Sequence, residues 1–205
     1  MSPVRSRPRE TPKGLSRRAF LVLGGAIGLF LSSRTLNAQS GGVPAGLQAE
    51  LLAKLVSYDR NFKDRAGDRV RTVVVVRKDQ AQSKLSGAAM KLALSELEQI
   101  GGLPHEETLM EYQNAAALAA ACRANRIALV YLTPGLSSEV PAIREALAGV
   151  DVLSVSAEPL DVKEGIVLGF ELESGKPKIL LNLPQSRRQN VQFRAEAMKL
   201  MEVYR

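Results

Sequence analysis

The chain has little to do chemistry with. Its 205 residues include one cysteine and one histidine. Cys122 cannot form an internal disulfide, so the fold must hold without one. It falls in the Ala-rich stretch 115–124, where a buried, inert thiol is expected, with an intermolecular disulfide as the alternative. A lone His105 and a distant Cys122 do not make a zinc site, so no metal is expected. Any Ser-His-Asp triad would have to use His105, and no nucleophile elbow accompanies it. His105 follows Gly101-Gly102-Leu103-Pro104 and reads as a solvated loop residue. Glu106-Glu107 reads as surface charge, because neighbours on an extended chain point apart. There is no phosphate-binding G-x-x-x-x-G-K-[ST] loop, and Gly24-Gly25 with Gly28 follow no strand, so they form no dinucleotide loop. No repeat and no low-complexity block appears after residue 38. The expectation is a protein that is not an enzyme and carries no cofactor.

No apolar run is long enough to span a bilayer. The longest, ending at Leu31, is about 15 residues, against about 20 for a spanning helix. It is Gly-rich and follows a basic leader with Arg5, Arg7, Arg9 and Lys13. Leu36-Asn37-Ala38 ends it with a small residue suited to cleavage, so residues 1–38 are expected to be a removable export signal. Ser16-Arg17-Arg18-Ala19-Phe20-Leu21 closely resembles the twin-arginine signal, with Arg17, Arg18, Phe20 and Leu21 at its defining positions. That resemblance implies a bacterial protein folded in the cytoplasm and then exported to the periplasm. An uncleaved N-terminal anchor is the alternative.

The leader also accounts for the charge. The chain carries net +7, but residues 39–205 hold 21 basic and 20 acidic groups. A nucleic-acid binder keeps a basic face in its folded domain, so no nucleic-acid partner is expected.

Residues 39–205 have the length of one domain. An amphipathic helix is predicted over 47–58, then a charged connection over 59–69. The run of valines in 70–76 reads as a strand buried on both faces. A helix over 82–100 carries an apolar stripe through Leu85, Ala89, Leu92, Met90, Leu94 and Leu97, and Gly101-Gly102 stops it. A short strand over 108–112 leads to a helix capped by Asn114, then to a buried strand over 127–132 that Thr133-Pro134-Gly135 breaks. Ser137 or Ser138 is expected to cap a helix with Pro141 in its first turn, ending at Gly149, and 151–155 forms the next strand. Near the end, Leu168, Phe170 and Leu172 alternate with Gly169, Glu171 and Glu173. A two-residue Ser174-Gly175 turn sets Glu171 opposite Lys178, Glu173 opposite Lys176, Phe170 opposite Ile179 and Leu168 opposite Leu181. Arg187-Arg188 read as solvated charge at the start of a closing helix that runs to Tyr204, with Phe193, Ala197, Leu200 and Tyr204 on one side.

Alternating strands and helices predict an α/β fold. It has a mainly parallel sheet covered by helices on both faces, a C-terminal antiparallel hairpin and a closing helix. In such a sheet a ligand or partner crevice lies beyond the carboxyl ends of the strands. There Thr133, Gly135, Ser154 and Ser156 supply hydroxyls and a turn, after Arg77-Lys78 at the end of the first strand.

From about Ala45 to the end the chain resembles the YfiR family of periplasmic proteins. The resemblance rests on Leu51-Leu52-Ala53-Lys54-Leu55 followed by Tyr58-Asp59-Arg60-Asn61-Phe62, and on Ile127-Ala128-Leu129-Val130-Tyr131-Leu132. It rests also on Val152-Leu153-Ser154-Val155-Ser156, on 175–183, and on a final segment with Phe193 and Leu200. The resemblance implies an α/β sandwich. It also implies a non-enzymatic repressor that binds the sensory domain of a membrane-bound diguanylate cyclase and so lowers cyclic-di-GMP. The partner it implies is therefore a membrane signalling protein in the periplasm; a homodimer is also open. The family's best-known member uses cysteine pairs, whereas this chain has Cys122 alone. The strand, Thr133-Pro134-Gly135 turn and Ser-capped helix also resemble one lobe of a periplasmic solute-binding protein, which would make the chain a single-lobed small-molecule binder.

Overall fold

The computed structural model describes residues 42–205. The twin-arginine positions Arg17, Arg18, Phe20 and Leu21, and the cleavage residue Ala38, lie outside them. Among the described residues no helix is long and apolar enough to cross a membrane.

Seven strands form one sheet. They are β1 (Val70–Val76), β2 (His105–Glu111), β3 (Leu129–Leu132), β4 (Leu153–Ser156), β5 (Leu168–Glu173), β6 (Lys176–Asn182) and β7 (Met201–Tyr204), in the order β2-β1-β3-β4-β5-β6-β7. The first five run parallel. β6 returns antiparallel to β5, and β7 is parallel to β6. The helices are α1 (Ala45–Leu55), α2 (Phe62–Ala66), α3 (Ala81–Ser95), α4 (Ala115–Ala124), α5 (Val140–Ala146), α6 (Leu160–Glu164), α7 (Leu183–Arg188) and α8 (Ala195–Met198).

β1 shows why the sheet is covered on both faces. Val70 and Val74 pack with Leu52 of α1, Phe62 of α2, and Met90 and Leu94 of α3. Val73 and Val75 point the other way, into a core with Leu118 of α4 and Ile143 of α5. Successive side chains of a strand alternate faces, so a run of valines serves two cores at once. Each valine removed from water contributes about 1.5–3 kcal/mol.

The hairpin has the predicted register. Phe170 pairs with Ile179, Leu168 with Leu181, Glu171 with Lys178 and Glu173 with Lys176. Ser174 and Gly175 both have positive φ, at 51° and 77°, as a two-residue turn matched to strand twist requires. Lys178 reaches diagonally to Glu173 at 3.4 Å and across to Glu202 of β7. Asn114 caps α4 as predicted, accepting from the Ala117 N–H at 2.8 Å.

Several elements differ from the sequence reading. The closing helix breaks into α7 and the one-turn α8, and residues 201–204 become a strand. The open edge of β6 offers those residues a full ladder, and Met201 is buried in the core. Leu200, expected on the packed side, is 72 % exposed. The charged connection over 59–69 contains α2, whose Phe62 is 1 % exposed. Ser137–Glu139 form a 3₁₀ turn without a side-chain cap ahead of α5. Arg187 and Arg188 stand in the last turn of α7, not at a helix start.

The apolar stripe of α3 is also rotated. Ser83, Gly87, Met90 and Leu94 face inward, while Leu85 and Leu92 are exposed. Gly87 is the cause: a Cβ there would stand 2.3 Å from Val76 Cγ1, so the helix lies flush on β1 only through this residue. The closest-packed line, not the most hydrophobic one, is turned to the sheet.

Candidate functional site

The order β2-β1-β3-β4-β5 reverses direction at β1. The chain leaves β1 toward β2 on one side and reaches β3 on the other, so their carboxyl ends splay apart there. Ligands of doubly wound folds bind in this crevice. Thr133 and Gly135 follow β3, Ser154 and Ser156 belong to β4, and Arg77 follows β1. The topology thus brings Arg77, Thr133, Gly135 and Ser156 to one end of the sheet, while Ser154 stands level with Val73 in the middle of β1.

Their hydroxyls are committed to the fold. Thr133 is fully buried, and its Oγ1 donates to the Val75 carbonyl at 2.8 Å. Ser83 Oγ lies 2.6 Å from Thr133 Oγ1 and accepts from the Arg77 N–H at 2.8 Å. Since the Thr133 proton is spent on Val75, Ser83 is the donor between the two hydroxyls. Ser154 Oγ accepts from the Val167 N–H at 3.1 Å. Ser156 Oγ donates to Asp161 Oδ2 at 2.6 Å and accepts from the Glu158 N–H at 3.1 Å. These bonds tie β3 and β4 to α3, α6 and β5.

The charged groups at this end also face one another. Arg77 lies 3.4 Å from Asp79 and 3.6 Å from Glu139, and donates to the Gly135 carbonyl at 3.4 Å. Tyr112 donates to Glu139 at 3.3 Å. Burial first, and then the Glu139 charge, push the Tyr112 phenol up to about 12, so it remains a donor at neutral pH. Gly135 has φ +90°, and a Cβ there would collide with the Gln80 amide at 1.8 Å. The turn therefore closes over the Arg77 network. Sequence reading named Arg77 but not Glu139 or Tyr112, because only the fold brings the 3₁₀ turn Ser137–Glu139 beside the residue that follows β2.

The chain's one histidine is not at this end. His105 opens β2 beside Val70, at the opposite end of the sheet. It is not a loop residue: its ring is 8 % exposed, 2.6 Å from Glu107 and 2.8 Å from the Leu97 carbonyl. Glu107 is accordingly buried, while Glu106 points to the other face and meets Arg71 at 3.0 Å. Cys122 is buried, which pushes its thiol up to about 12 and keeps it protonated and unreactive at neutral pH. Among the described residues no group of three or more His, Cys, Asp or Glu is placed to hold a metal ion.

The residues 58–62 have a structural role that their sequence does not announce. Asp59 accepts from Arg65 at 2.7 Å and from the N–H groups of Asn61 and Gln192 at 3.2 and 2.8 Å. Arg65 also donates to Asp151 at 2.7 Å and to the Asn190 carbonyl at 2.9 Å. Asp59 and Phe193 form a bridge of antiparallel backbone. The segment clamps the end of the chain onto its beginning.

Residues 45–201 match the profile of the YfiR/HmsC-like proteins. The chain belongs to the YfiR/HmsC-like family. The match covers every described element from α1 to the start of β7, including the Asp59 clamp and the hairpin. No curated protein matches this YfiR/HmsC-like chain in sequence. Among solved structures it is similar to a conserved domain protein from Vibrio cholerae, with TM-score 0.54 and 12% identity over 79% of this chain and 60% of that one. It is similar to the ABC domain from Streptococcus pneumoniae in complex with L-Trp, with TM-score 0.56 and 11% identity over 78% and 60% of the two chains. A ligand-free, open substrate-binding protein with adhesive properties from Clostridium difficile gives TM-score 0.51 and 13% identity over 71% and 57%. The YfiR/HmsC-like chain thus spans about 60% of the length of these structures. At such identities the likeness is one of fold.

Proposed function

We propose that residues 1–38 are a twin-arginine leader removed after Ala38, and that the domain over 39–205 regulates cyclic-di-GMP signalling from the periplasm. It does so by docking on the periplasmic domain of a membrane signalling protein, of diguanylate cyclase or sensor kinase type. It does not catalyse a reaction. The observation that carries this reading is the YfiR/HmsC-like match across residues 45–201. The strand-end crevice supports it, since its hydroxyls and charges are engaged with each other.

The docking surface we assign is the outer side of α3. Leu85 and Leu92 are 63 % and 60 % exposed. Seven residues apart, they share the helix line opposite the buried Ser83, Gly87, Met90 and Leu94. Exposed apolar side chains of this size mark a protein interface. The test is expression of the full chain with a C-terminal tag in a bacterial host, capture from solubilised membranes, and identification of what is retained. A cyclase or sensor kinase that is lost with Leu85→Lys and Leu92→Lys is the expected result. Retention of the same partner by both variants overturns the surface, and turnover of a substrate by the purified protein overturns the reading.

The second reading, a single-lobed small-molecule binder, rests on the switch point at β1 and β3. There a ligand would displace Glu139 from Arg77 and lie against Thr133 and Gly135, with Ser154 and Ser156 behind. A metabolite thermal-shift screen distinguishes it: a sizeable shift abolished by Gly135→Val, with no membrane partner captured, favours the binder.

A further inference from the structure

A groove of about 700 Å³ lies away from the strand-end crevice, between the β1–β2 face and the C-terminal end of α4. Its walls include Val73, Met110 and Ile127, which are apolar, and its rim carries Asp68, Arg71, Glu106 and Arg126. The volume is in the range of small-molecule sites, about 300–1,000 Å³.

The rim charges are unevenly paired. Glu106 is shared between Arg69 at 3.4 Å and Arg71 at 3.0 Å, and Asp68 stands 4.0 Å from Arg71. Arg126 has no carboxylate within 4 Å among the described residues; its Nη2 donates to the Asp64 carbonyl, at 3.3 Å. Of the two guanidiniums on the rim, Arg126 is therefore the one without an ion pair.

Arg126 also sits in a conformation that favours glycine, with φ 49°. The Ile127 N–H reaches the Cys122 carbonyl at 3.0 Å, closing α4 through a left-handed residue, a place where glycine is usual. Opposite, Gly67 leaves room for the guanidinium: its Cβ position is 3.4 Å from Arg126 Nη2. The chain thus keeps a strained arginine where glycine would suit the backbone better. Local strain of this kind marks residues kept for a task.

We propose that this groove binds a small organic carboxylate with an apolar body. The carboxylate meets Arg126, and the body lies along Met110 and Ile127. A single unpaired guanidinium on a rim that also carries two carboxylates matches a monoanion better than a phosphate monoester, which carries about −1.5 to −2. A guanidinium pairs with a carboxylate through two parallel hydrogen bonds. The apolar wall requires more than a bare anion.

The test is titration of sodium phenylacetate into the full chain, read by calorimetry and by backbone amide shifts in NMR, with phenylacetamide as the uncharged control. Saturable binding is expected, with shifts centred on Thr108, Met110, Arg126 and Ile127, and the amide binding about tenfold or more weakly. Arg126→Gly is expected to lose about tenfold or more in affinity while its thermal midpoint holds or rises, so loss of binding there is not loss of fold. Equal binding of acid and amide, unchanged affinity in Arg126→Gly, shifts centred on the Thr133 end, or no saturable binding each overturns the proposal. None of these outcomes bears on whether the α3 surface docks a membrane protein.

Discussion

Two arginine–carboxylate groups hold the C-terminal third of the chain, and they differ in depth. Arg65 with Asp59 is sealed, the side chains 1 % and 0 % exposed, and each has further partners in Asp151, Asn190, Asn61 and Gln192. Glu145 with Arg188 and Arg144 lies in water, the side chains 57 %, 43 % and 37 % exposed. Bond lengths do not separate them: Arg65–Asp59 and Arg188–Glu145 are both 2.7 Å. What separates them is what remains when one member is removed. Removal from the clamp leaves a charge without water; removal from the surface pair leaves a charge that water takes up at once.

Substitutions sharpen that contrast. Arg65→Ala is expected to cost about 3–5 kcal/mol, because it strands the buried Asp59 and frees the Asn190 carbonyl. Urea unfolding measures it, and a loss under about 1 kcal/mol would mean that water reaches the clamp. His105→Ala is an intermediate case. It leaves the Glu107 carboxylate, 6 % exposed, without its 2.6 Å partner, and about 1–3 kcal/mol should be lost. The double variant His105→Ala with Glu107→Leu should recover part of that, while a double variant no better than the single denies the pair its role. Thr72→Val reverses the logic. The Thr72 Oγ1 is buried with no hydrogen-bond partner among the described residues, so an isosteric methyl should raise stability by about 1 kcal/mol, read as a higher thermal midpoint. A lower midpoint would show that the hydroxyl has a partner, such as an ordered water.

The smallest effect belongs to the exposed pair. Glu145→Gln should lower stability at neutral pH only slightly, because water screens the pair. The trace of the pair lies in pH. Hydrogen bonds first from Arg188 and then from Arg144 hold the Glu145 carboxyl at about 2, below its ordinary 4.5. A group whose folded value is depressed contributes stability above its unfolded value and loses it as pH falls. The window is thus from about 4.5 down to about 2, and comparison of the parent and Glu145→Gln across it, at low and high salt, shows whether the pair contributes there at all.

Local patterning was legible where one chain segment contains both halves of an interaction. The hairpin is the clearest case, since its charge pairs, apolar pairs and turn all lie within 168–181. The Asn114 cap and the doubly buried β1 are of the same kind. The rotation of α3 was not legible, because Gly87 contributes nothing to an apolar stripe and reveals its role only against Val76. Nor was the fate of residues 201–204, which follow a helical turn and become a strand because β6 has a free edge. At the candidate site the sequence grouped Thr133, Gly135, Ser154 and Ser156 beyond the strand ends, whereas Ser154 stands level with the middle of β1. It did not show that their hydroxyls already have partners, nor that Arg77, Tyr112 and Glu139 converge beside them.

From its sequence alone the chain determined an alternating α/β order, the hairpin register and a nearly neutral charge over 39–205, since each depends on residue type and near spacing. Tertiary structure alone decided which polar groups are spent and which are free. That depends on partners up to 133 residues away in the chain, as Asp59 and Gln192 show, and on how much water each contact leaves. Thr133 and Arg126 could each have been read as a ligand contact; the fold buries and satisfies the first and leaves the second on an open rim without an ion pair among the described residues.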